Sequence, residues 1–295
     1  MSLGSGYSAD VGQRLTFAIV AICCASLTFS MMLACVKLLG AGYSPFQVLL
    51  MRYIFGLALS LPLIWRDGAA LWQTERPMGH VIRALYGFAS TFAIFFAVTR
   101  MEIATVTAIS FAMPLFLVFL SVPMLGEKVG WRRATAAFVG FGGVLIIVDP
   151  GSDLNWVALI ALAGTLFYAM AVAAIRQLSR HEPANRIFFI YAVANIVVAG
   201  AAMPWFWVTP SLEDWLIFIM VGAFGAGAQY AFLIGYRYAP ATVLAPFDYT
   251  QILFALAIGY LAWGETPTEQ AFIGGAIIVA SGLFIWWREQ RLAKG

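Results

Sequence analysis

Two ionisable side chains, Arg52 and Asp248, stand well inside long apolar runs of the sequence. Ionisable groups are costly within a membrane, and those found there usually mark a substrate, ion or proton site. Each lies about eight residues into its run, a depth of roughly 12 Å at 1.5 Å per helical residue. The sequence leaves three interpretations open: an ion pair between the two, ties to backbone carbonyls, or binding of the two ends of a zwitterion. Asp248 could also serve as a proton site.

Further polar side chains recur at helical spacing within the same kind of run. Residues three or four apart lie on one face of a helix, and polar groups that recur on one face indicate a lined cavity. Ser110 joins the set because it is equivalent to Asp248 in the internal repeat described below. The predicted substrate-binding residues, including these pairs, are Asp248 with Gln251, Tyr86 with Ser90, Gln229 with Tyr236, and the single residues Ser110 and Arg52.

Residue types that carry catalysis or bind metals are sparse. The three cysteines all lie in the first apolar run, and the two histidines, His80 and His181, lie near the ends of other runs. The sequence contains no convergent nucleophile and base, no phosphate-binding loop and no metal-spaced cysteine cluster. We therefore predict that the protein is not an enzyme and holds neither a metal nor a cofactor.

The composition is that of a membrane protein. Hydrophobic residues make up 62% of the chain and charged residues 11%, whereas soluble domains carry about a quarter charged residues. A bilayer core needs roughly 20 apolar residues per helix, and backbone groups in lipid must pair within their own helix. An all-α integral membrane protein is therefore predicted, with ten transmembrane helices at 15–39, 44–65, 79–99, 103–125, 131–148, 154–176, 186–207, 214–236, 240–262 and 270–287.

The placement of the cations predicts the orientation of these ten runs. Fourteen of the 17 lysines and arginines, Arg83 included, fall on the side that holds both ends of the chain. Lys37 and Arg100 fall on the opposite side, and Arg52 lies within a run. Because cytoplasmic loops are enriched in lysine and arginine, both termini are predicted to be cytoplasmic. The net charge of +3 is too small to indicate a nucleic-acid partner.

An internal repeat divides the chain into two halves. Ala104-Thr105-Val106 and Gly126-Glu127 recur as Ala241-Thr242-Val243 and Gly264-Glu265, at offsets of 137 and 138 residues. The predicted organisation is a first five-helix repeat at 15–148 and a second at 149–288, between tails at 1–14 and 289–295. Because five is odd, the second repeat enters the membrane in the opposite sense, which is typical of secondary transporters.

On these motifs, and on Arg52 following Pro45, the chain resembles the drug/metabolite transporter superfamily and within it the ten-span EamA-type exporters. Pro114 matches the proline that these proteins carry before Gly-Glu, whereas Pro246 stands six residues further from its glutamate. The most similar type is the bacterial broad-specificity aromatic amino-acid exporter (YddG-like). The resemblance implies a bacterial inner-membrane protein whose two inverted repeats surround a central cavity.

The predicted function is export of aromatic and other neutral amino acids and related metabolites by alternating access. Its partners are the small-molecule substrate and the membrane lipids. The alternative is export of hydrophobic drugs or cations, in which Asp248 would supply the negative charge. Proton antiport, facilitated diffusion and counter-ion exchange all stay open.

Overall fold

The computed structural model describes residues 4–125, 130–148, 155–238 and 241–293. Over these ranges the chain is helical and contains no strand. Two 3₁₀ segments, Gly40–Gly42 and Trp65–Trp72, separate the first three long helices. The helices are α1 (Gly4–Leu39), α2 (Pro45–Ile64), α3 (Pro77–Val98), α4 (Ile103–Ser110), α5 (Met113–Leu125), α6 (Trp131–Val148), α7 (Trp156–Leu178), α8 (Ala184–Ala201), α9 (Met203–Phe206), α10 (Leu212–Tyr238), α11 (Ala241–Asp248), α12 (Thr250–Trp263) and α13 (Glu269–Ala293).

Eight segments of the described chain are long and apolar enough to cross a membrane. Two predicted spans do not reach that length. The span at 131–148 begins with Trp131, Arg132 and Arg133, which leaves only Ala134–Val148 as a shorter apolar helix. The span at 240–262 is divided between α11 and α12. Ten membrane crossings therefore stay a prediction. The two predicted tails also stay a prediction, and the residues of them that the structure describes belong to α1 and α13.

Two helices are interrupted at positions that match in the repeat. The α4–α5 helix breaks at Phe111, and the α11–α12 helix breaks at Tyr249, 138 residues later. Pro114 lies at the start of α5, where its missing N–H is tolerated, whereas Pro246 lies inside α11. The two breaks meet in space, because the rings of Phe111 and Tyr249 stack with centroids 4.7 Å apart.

The principal helix pairs join the two predicted halves. α1 packs against α10, α3 against α7, α6 against α13, and α2 against α8. Glycine allows the closest of these approaches: a Cβ on Gly143 of α6 would lie 2.6 Å from the carbonyl oxygen of Gly274 on α13. Each pairing combines a helix from 15–148 with one from 149–288, so helices of both halves pack together in a shared core.

At one end of the bundle lies a group of polar contacts that we call the Lys37 latch, formed by Lys37, Met101, Ile103 and Glu265. Lys37 Nζ forms an ion pair with Glu265 and donates a hydrogen bond to the Met101 carbonyl oxygen at 2.6 Å. The other Glu265 carboxylate oxygen accepts from the Ile103 N–H at 3.1 Å. The latch ties the ends of α1, α4 and α12 together.

Two further contacts lie near the latch. The Tyr43 hydroxyl donates to Asp214 at 2.7 Å, between the loop after α1 and the start of α10. The Gln47 side-chain amide donates to the Val208 carbonyl oxygen at 2.6 Å and accepts from the Val208 N–H at 2.9 Å. One contact joins the loop after α1 to the first turn of α10, and the other joins the first turn of α2 to the segment before α10.

The opposite end is held by Glu182, which lies between α7 and α8 and is only 5% exposed. Its carboxylate accepts from the Thr74 hydroxyl and pairs with Arg186 Nη1, each at 2.6 Å. The His80 ring lies 3.9 Å from the same carboxylate. Burial alone would raise the pKa of Glu182, but the hydrogen bonds from Thr74 and Arg186 and the Arg186 charge hold it below its usual value.

Candidate functional site

A pair of tyrosines forms the middle of the candidate site. Tyr53 of α2 and Tyr191 of α8 are 138 residues apart, and their hydroxyl oxygens lie 2.7 Å from each other. Their rings meet edge to face with centroids 5.4 Å apart. Tyr53 is only 6% exposed. The pair therefore lies where the two predicted halves meet, and it presents hydroxyl groups within the apolar bundle.

Two arginines flank the tyrosine pair. Arg52 of α2 donates from Nη1 to the Tyr53 hydroxyl at 3.2 Å, and its guanidinium lies 5.7 Å from the Phe95 ring centroid. Arg83 of α3 lies over the other ring, with its guanidinium carbon 3.8 Å from the Tyr191 ring centroid. Both arginines act electrostatically on Tyr191. The tyrosine pair thus lies between two positive charges.

Asp248 brings a negative charge to the same region. It ends α11, one residue before the helix break, and its carboxylate acts electrostatically on Tyr168 of α7 and on Tyr249. Tyr168 is also under the influence of Arg83 and Tyr191. Tyr168 is 47% exposed, and the groups that act on it belong to α3, α8 and α11. Tyr168 therefore lies near charged and polar groups of three other helices, with part of its surface accessible.

We call these residues the central cluster: Arg52, Tyr53, Arg83, Tyr168, Tyr191 and Asp248. They come from five helices, and their formal charges are two positive and one negative. A guanidinium matches a carboxylate with two parallel hydrogen bonds, and a carboxylate can accept from an ammonium group. Tyrosine rings add flat apolar surfaces on which an aromatic or apolar body can pack. The cluster is therefore suited to a small zwitterion or organic acid.

Metal binding receives no support over the part of the chain that the structure describes. No group of three or more histidine, cysteine, aspartate or glutamate side chains comes together there. The acidic member of the central cluster, Asp248, is accompanied by tyrosines and arginines, which are poor partners for a cation site.

Arg52 and Asp248 are the two sequence-predicted residues that the structure places in the central cluster. Three others lie on neighbouring helices. The Tyr86 ring stacks on Phe167 of α7 with centroids 6.3 Å apart, and Ser90 is 6% exposed at the same α3–α7 interface. The Ser110 hydroxyl donates to the Val106 carbonyl oxygen at 2.9 Å, one residue before the α4–α5 break.

The remaining three predicted residues lie on α10 and α12. Gln229 is exposed on α10, one turn beyond Gly225, whose own face packs against Arg52. Gln251 is half-buried at the start of α12, and its backbone carbonyl oxygen accepts from the Ser30 hydroxyl at 3.3 Å. Tyr236 belongs to α10, but its side chain lies outside the described part of the structure.

Four members of the central cluster were not among the predicted site residues: Tyr53, Arg83, Tyr168 and Tyr191. Arg83 had been counted among the loop cations that set orientation, yet it lies six residues into α3. One sequence signal could have found the tyrosine pair. Tyr53 and Tyr191 are separated by the same 138 residues that relate Ser110 to Asp248. Their proximity, however, depends on how the two halves fold together.

Comparison with known proteins supplies the family context. The model of the EamA-like transporter family matches this chain twice, at residues 16–149 and 155–287. The two matches divide the chain at nearly the same point as the predicted repeat. A solved crystal structure with 19% sequence identity superposes with a TM-score of 0.63, covering 95% of this chain and 99% of its own. That likeness concerns the fold alone.

Curated relatives are named for several different substrates. An S-adenosylmethionine uptake transporter of Rickettsia bellii (strain RML369-C) is 27% identical over 86% of this chain and 88% of its own. A riboflavin transporter of Brucella anthropi is 30% identical over 79% of this chain and 85% of its own. A pseudopaline exporter of Pseudomonas aeruginosa is 29% identical over 87% of this chain and 91% of its own. The names include both uptake and export.

Proposed function

The chain belongs to the EamA-like transporter family, and from this premise we propose that it exports amino acids or amino-acid derivatives across the bacterial inner membrane. The observation that carries the proposal is the central cluster. Arg52 and Arg83 offer two guanidinium groups for a carboxylate, and Asp248 offers a carboxylate for an ammonium group. Aromatic and neutral amino acids combine these two charges with an apolar body that can pack on Tyr168 and Tyr191.

One relative's named substrate belongs to this class, and that of another shares only an aromatic body with it. S-adenosylmethionine carries an amino-acid carboxylate and ammonium group together with an aromatic base, and riboflavin carries a large aromatic ring system. A site with few fixed charges and several aromatic side chains in its lining can bind ligands of different shapes. We therefore propose a permissive carrier of the YddG-like type.

The proposed mechanism is alternating access between two inverted repeats. The contacts between repeat-related residues support it, because Tyr53 meets Tyr191 and Phe111 meets Tyr249 across the halves. With both termini in the cytoplasm, the Lys37 latch would close the outer end of the bundle. Export would then require this end to open after the substrate has loaded from the cytoplasm.

The alternative is export of hydrophobic cations, favoured by the acidic side chain of Asp248 beside Tyr168. Two guanidinium groups in the same cluster oppose it. Arg52 and Arg83 outnumber the single carboxylate, and like charges in a site of low dielectric constant repel a cation strongly. The amino-acid proposal therefore accounts for more of the cluster.

The test is flux into liposomes that contain the purified protein. A panel of labelled amino acids is offered with and without a pH gradient, beside a hydrophobic cation. The proposal predicts saturable flux of at least one aromatic or neutral amino acid, and the response to the gradient reports the energy coupling. Flux of the cation with no amino-acid flux would refute it.

A further inference from the structure

We propose that Arg83 binds the carboxylate of the transported molecule, so that the substrate carries one carboxylate beside an apolar or aromatic body. The inference rests on the proposed transport function and deepens it by assigning a ligand group to one side chain. Arg83 belongs to α3, well inside the apolar segment Pro77–Val98. A charge at such a depth needs a partner that compensates its lost hydration.

Two of the guanidinium nitrogens of Arg83 lack such a partner. Nε and Nη1 are buried, and neither has a hydrogen-bond partner among the residues that the structure describes. Two other arginines do have acceptors: Arg186 pairs with Glu182, and Arg100 Nη1 donates to the carbonyl oxygen of Phe96. Buried charged donors without acceptors are strongly unfavourable, and a bound ligand with acceptor oxygens would relieve that cost.

Arg83 stacks on Tyr191, and its Nε and Nη1 donors still lack an acceptor among the described residues. The guanidinium carbon lies 3.8 Å from the ring centroid, so the ring occupies the face of the planar group. Guanidinium N–H groups point outward in that plane, toward positions beside the ring. Gly87 lies one turn further along α3 against the same tyrosine, and its lack of a side chain allows this close packing. The stack therefore orients the planar fork beside the ring.

The neighbouring charges favour one carboxylate over a phosphate. Arg52 already donates from Nη1 to the Tyr53 hydroxyl, which leaves Arg83 as the more available cation. Asp248 lies in the same cluster, and a doubly charged phosphate would meet this negative charge with little left to neutralise it. A single carboxylate on Arg83 brings less negative charge near Asp248 than a phosphate would.

The experiment measures binding of matched ligands by thermal unfolding of the purified full-length protein in detergent. Indole-3-propionate is compared with its amide, and tryptophan with tryptamine, which lacks only the carboxylate. Wild-type protein should bind each acid about tenfold or more tightly than its uncharged or decarboxylated partner, the scale of hydrogen bonds to charged groups. Arg83→Met should abolish this preference, and Arg83→Lys should keep only part of it because lysine lacks the planar fork.

Arg100→Met is the matched control. Its guanidinium carbon lies 3.7 Å from the Phe96 ring centroid, so the variant removes a similar stack from an exposed position. It should retain the wild-type preference. If Arg83→Met does not fold, Arg83→Lys must still bind the acids more weakly while its affinity for the amide is unchanged.

Three outcomes would overturn the inference: equal binding of acid and amide by wild-type protein, an unchanged acid preference in the Arg83 variants, or preference for indoxyl phosphate over the carboxylates. Failure of the transport function would look different. Carboxylates would then bind in an Arg83-dependent manner, yet liposomes would show no flux of any of them.

Discussion

Tyr191 is the residue on which both arginines of the central cluster act. Arg83 stacks on its ring, Arg52 acts on it electrostatically, and its hydroxyl lies beside that of Tyr53. The neutral hydroxyl pair of Tyr53 and Tyr191 thus has one arginine against each of its two tyrosines. At the residue scale, the site is therefore positive around the tyrosines and negative only at Asp248.

Replacement of Asp248 by Asn tests whether this carboxylate binds the ammonium group. We expect Asp248→Asn to weaken tryptophan binding about tenfold, and to leave indole-3-propionate, which has no ammonium group, unchanged. Thermal unfolding with each ligand gives both values. Glu75→Gln, which removes an exposed carboxylate, should match the wild type. Loss of resistance to hydrophobic cations with amino-acid efflux intact would instead favour the cation alternative.

Replacement of Glu182 by Gln tests the polar contacts that this side chain makes at the opposite end of the bundle. Because the pKa of Glu182 is held below its usual value, its stabilisation is present above the unfolded pKa of about 4.3 and is lost as the pH falls through the folded pKa. We expect Glu182→Gln to cost roughly 1.5–3 kcal/mol at pH 7, the contribution of hydrogen bonds to a charged group. The midpoint of thermal unfolding should fall accordingly.

The difference in midpoint between wild type and Glu182→Gln should shrink once the pH drops below about 4. Glu269→Gln, at an exposed position in the first turn of α13, should differ little from the wild type at any pH. If the difference in unfolding midpoint between wild type and Glu182→Gln were as large at pH 3 as at pH 7, the ionised carboxylate would not be its source.

At the scale of helices, the sequence predicts some features and misses others for identifiable reasons. Hydropathy locates the long helices because burial in lipid depends on composition over about 20 residues. It does not locate the break at Tyr249, since Pro246 lies inside α11 and the interruption follows three residues later. It also cannot place Arg83 beside Tyr191, because that contact depends on the packing of α3 against α8.

Two adjacent glycines of α6 test the packing against α13. A Cβ on Gly143 would lie 2.6 Å from the Gly274 carbonyl oxygen, whereas a Cβ on Gly142 would meet no atom within 4 Å. We expect Gly143→Ala to lower stability by about 1–3 kcal/mol through overpacking. Gly142→Ala should be neutral or stabilising by up to about 1 kcal/mol, because alanine favours the helix. Equal unfolding midpoints for the two variants would contradict this packing.

The Lys37 latch can be tested as a gate. In a background without native cysteines, Lys37→Cys and Glu265→Cys are joined by a reversible bifunctional thiol reagent. Alternating access requires this end to open, so the cross-link should abolish amino-acid flux and reduction should restore it. Each single-cysteine variant, treated identically, should keep its flux. Flux that continues through the cross-linked protein would argue for a channel-like path.

At the scale of the whole molecule, alternating access requires a polar centre that water and substrate can reach from either side. The latch lies at one end, Glu182 holds loops at the other, and the central cluster lies between them. The two family matches and the contacts between residues 138 positions apart fit two related halves that move about this centre. Composition predicts a membrane protein, but only the packed structure identifies which side chains meet there.

The most direct measurement is the accessibility of position 168. Tyr168→Cys is introduced after Cys23, Cys24 and Cys35 are replaced by alanine, and a membrane-impermeant thiol reagent is applied to vesicles of either orientation. We predict labelling from both sides, slowed from both sides by tryptophan. Labelling only by a lipid-soluble reagent, with no protection by any amino acid, would contradict the account.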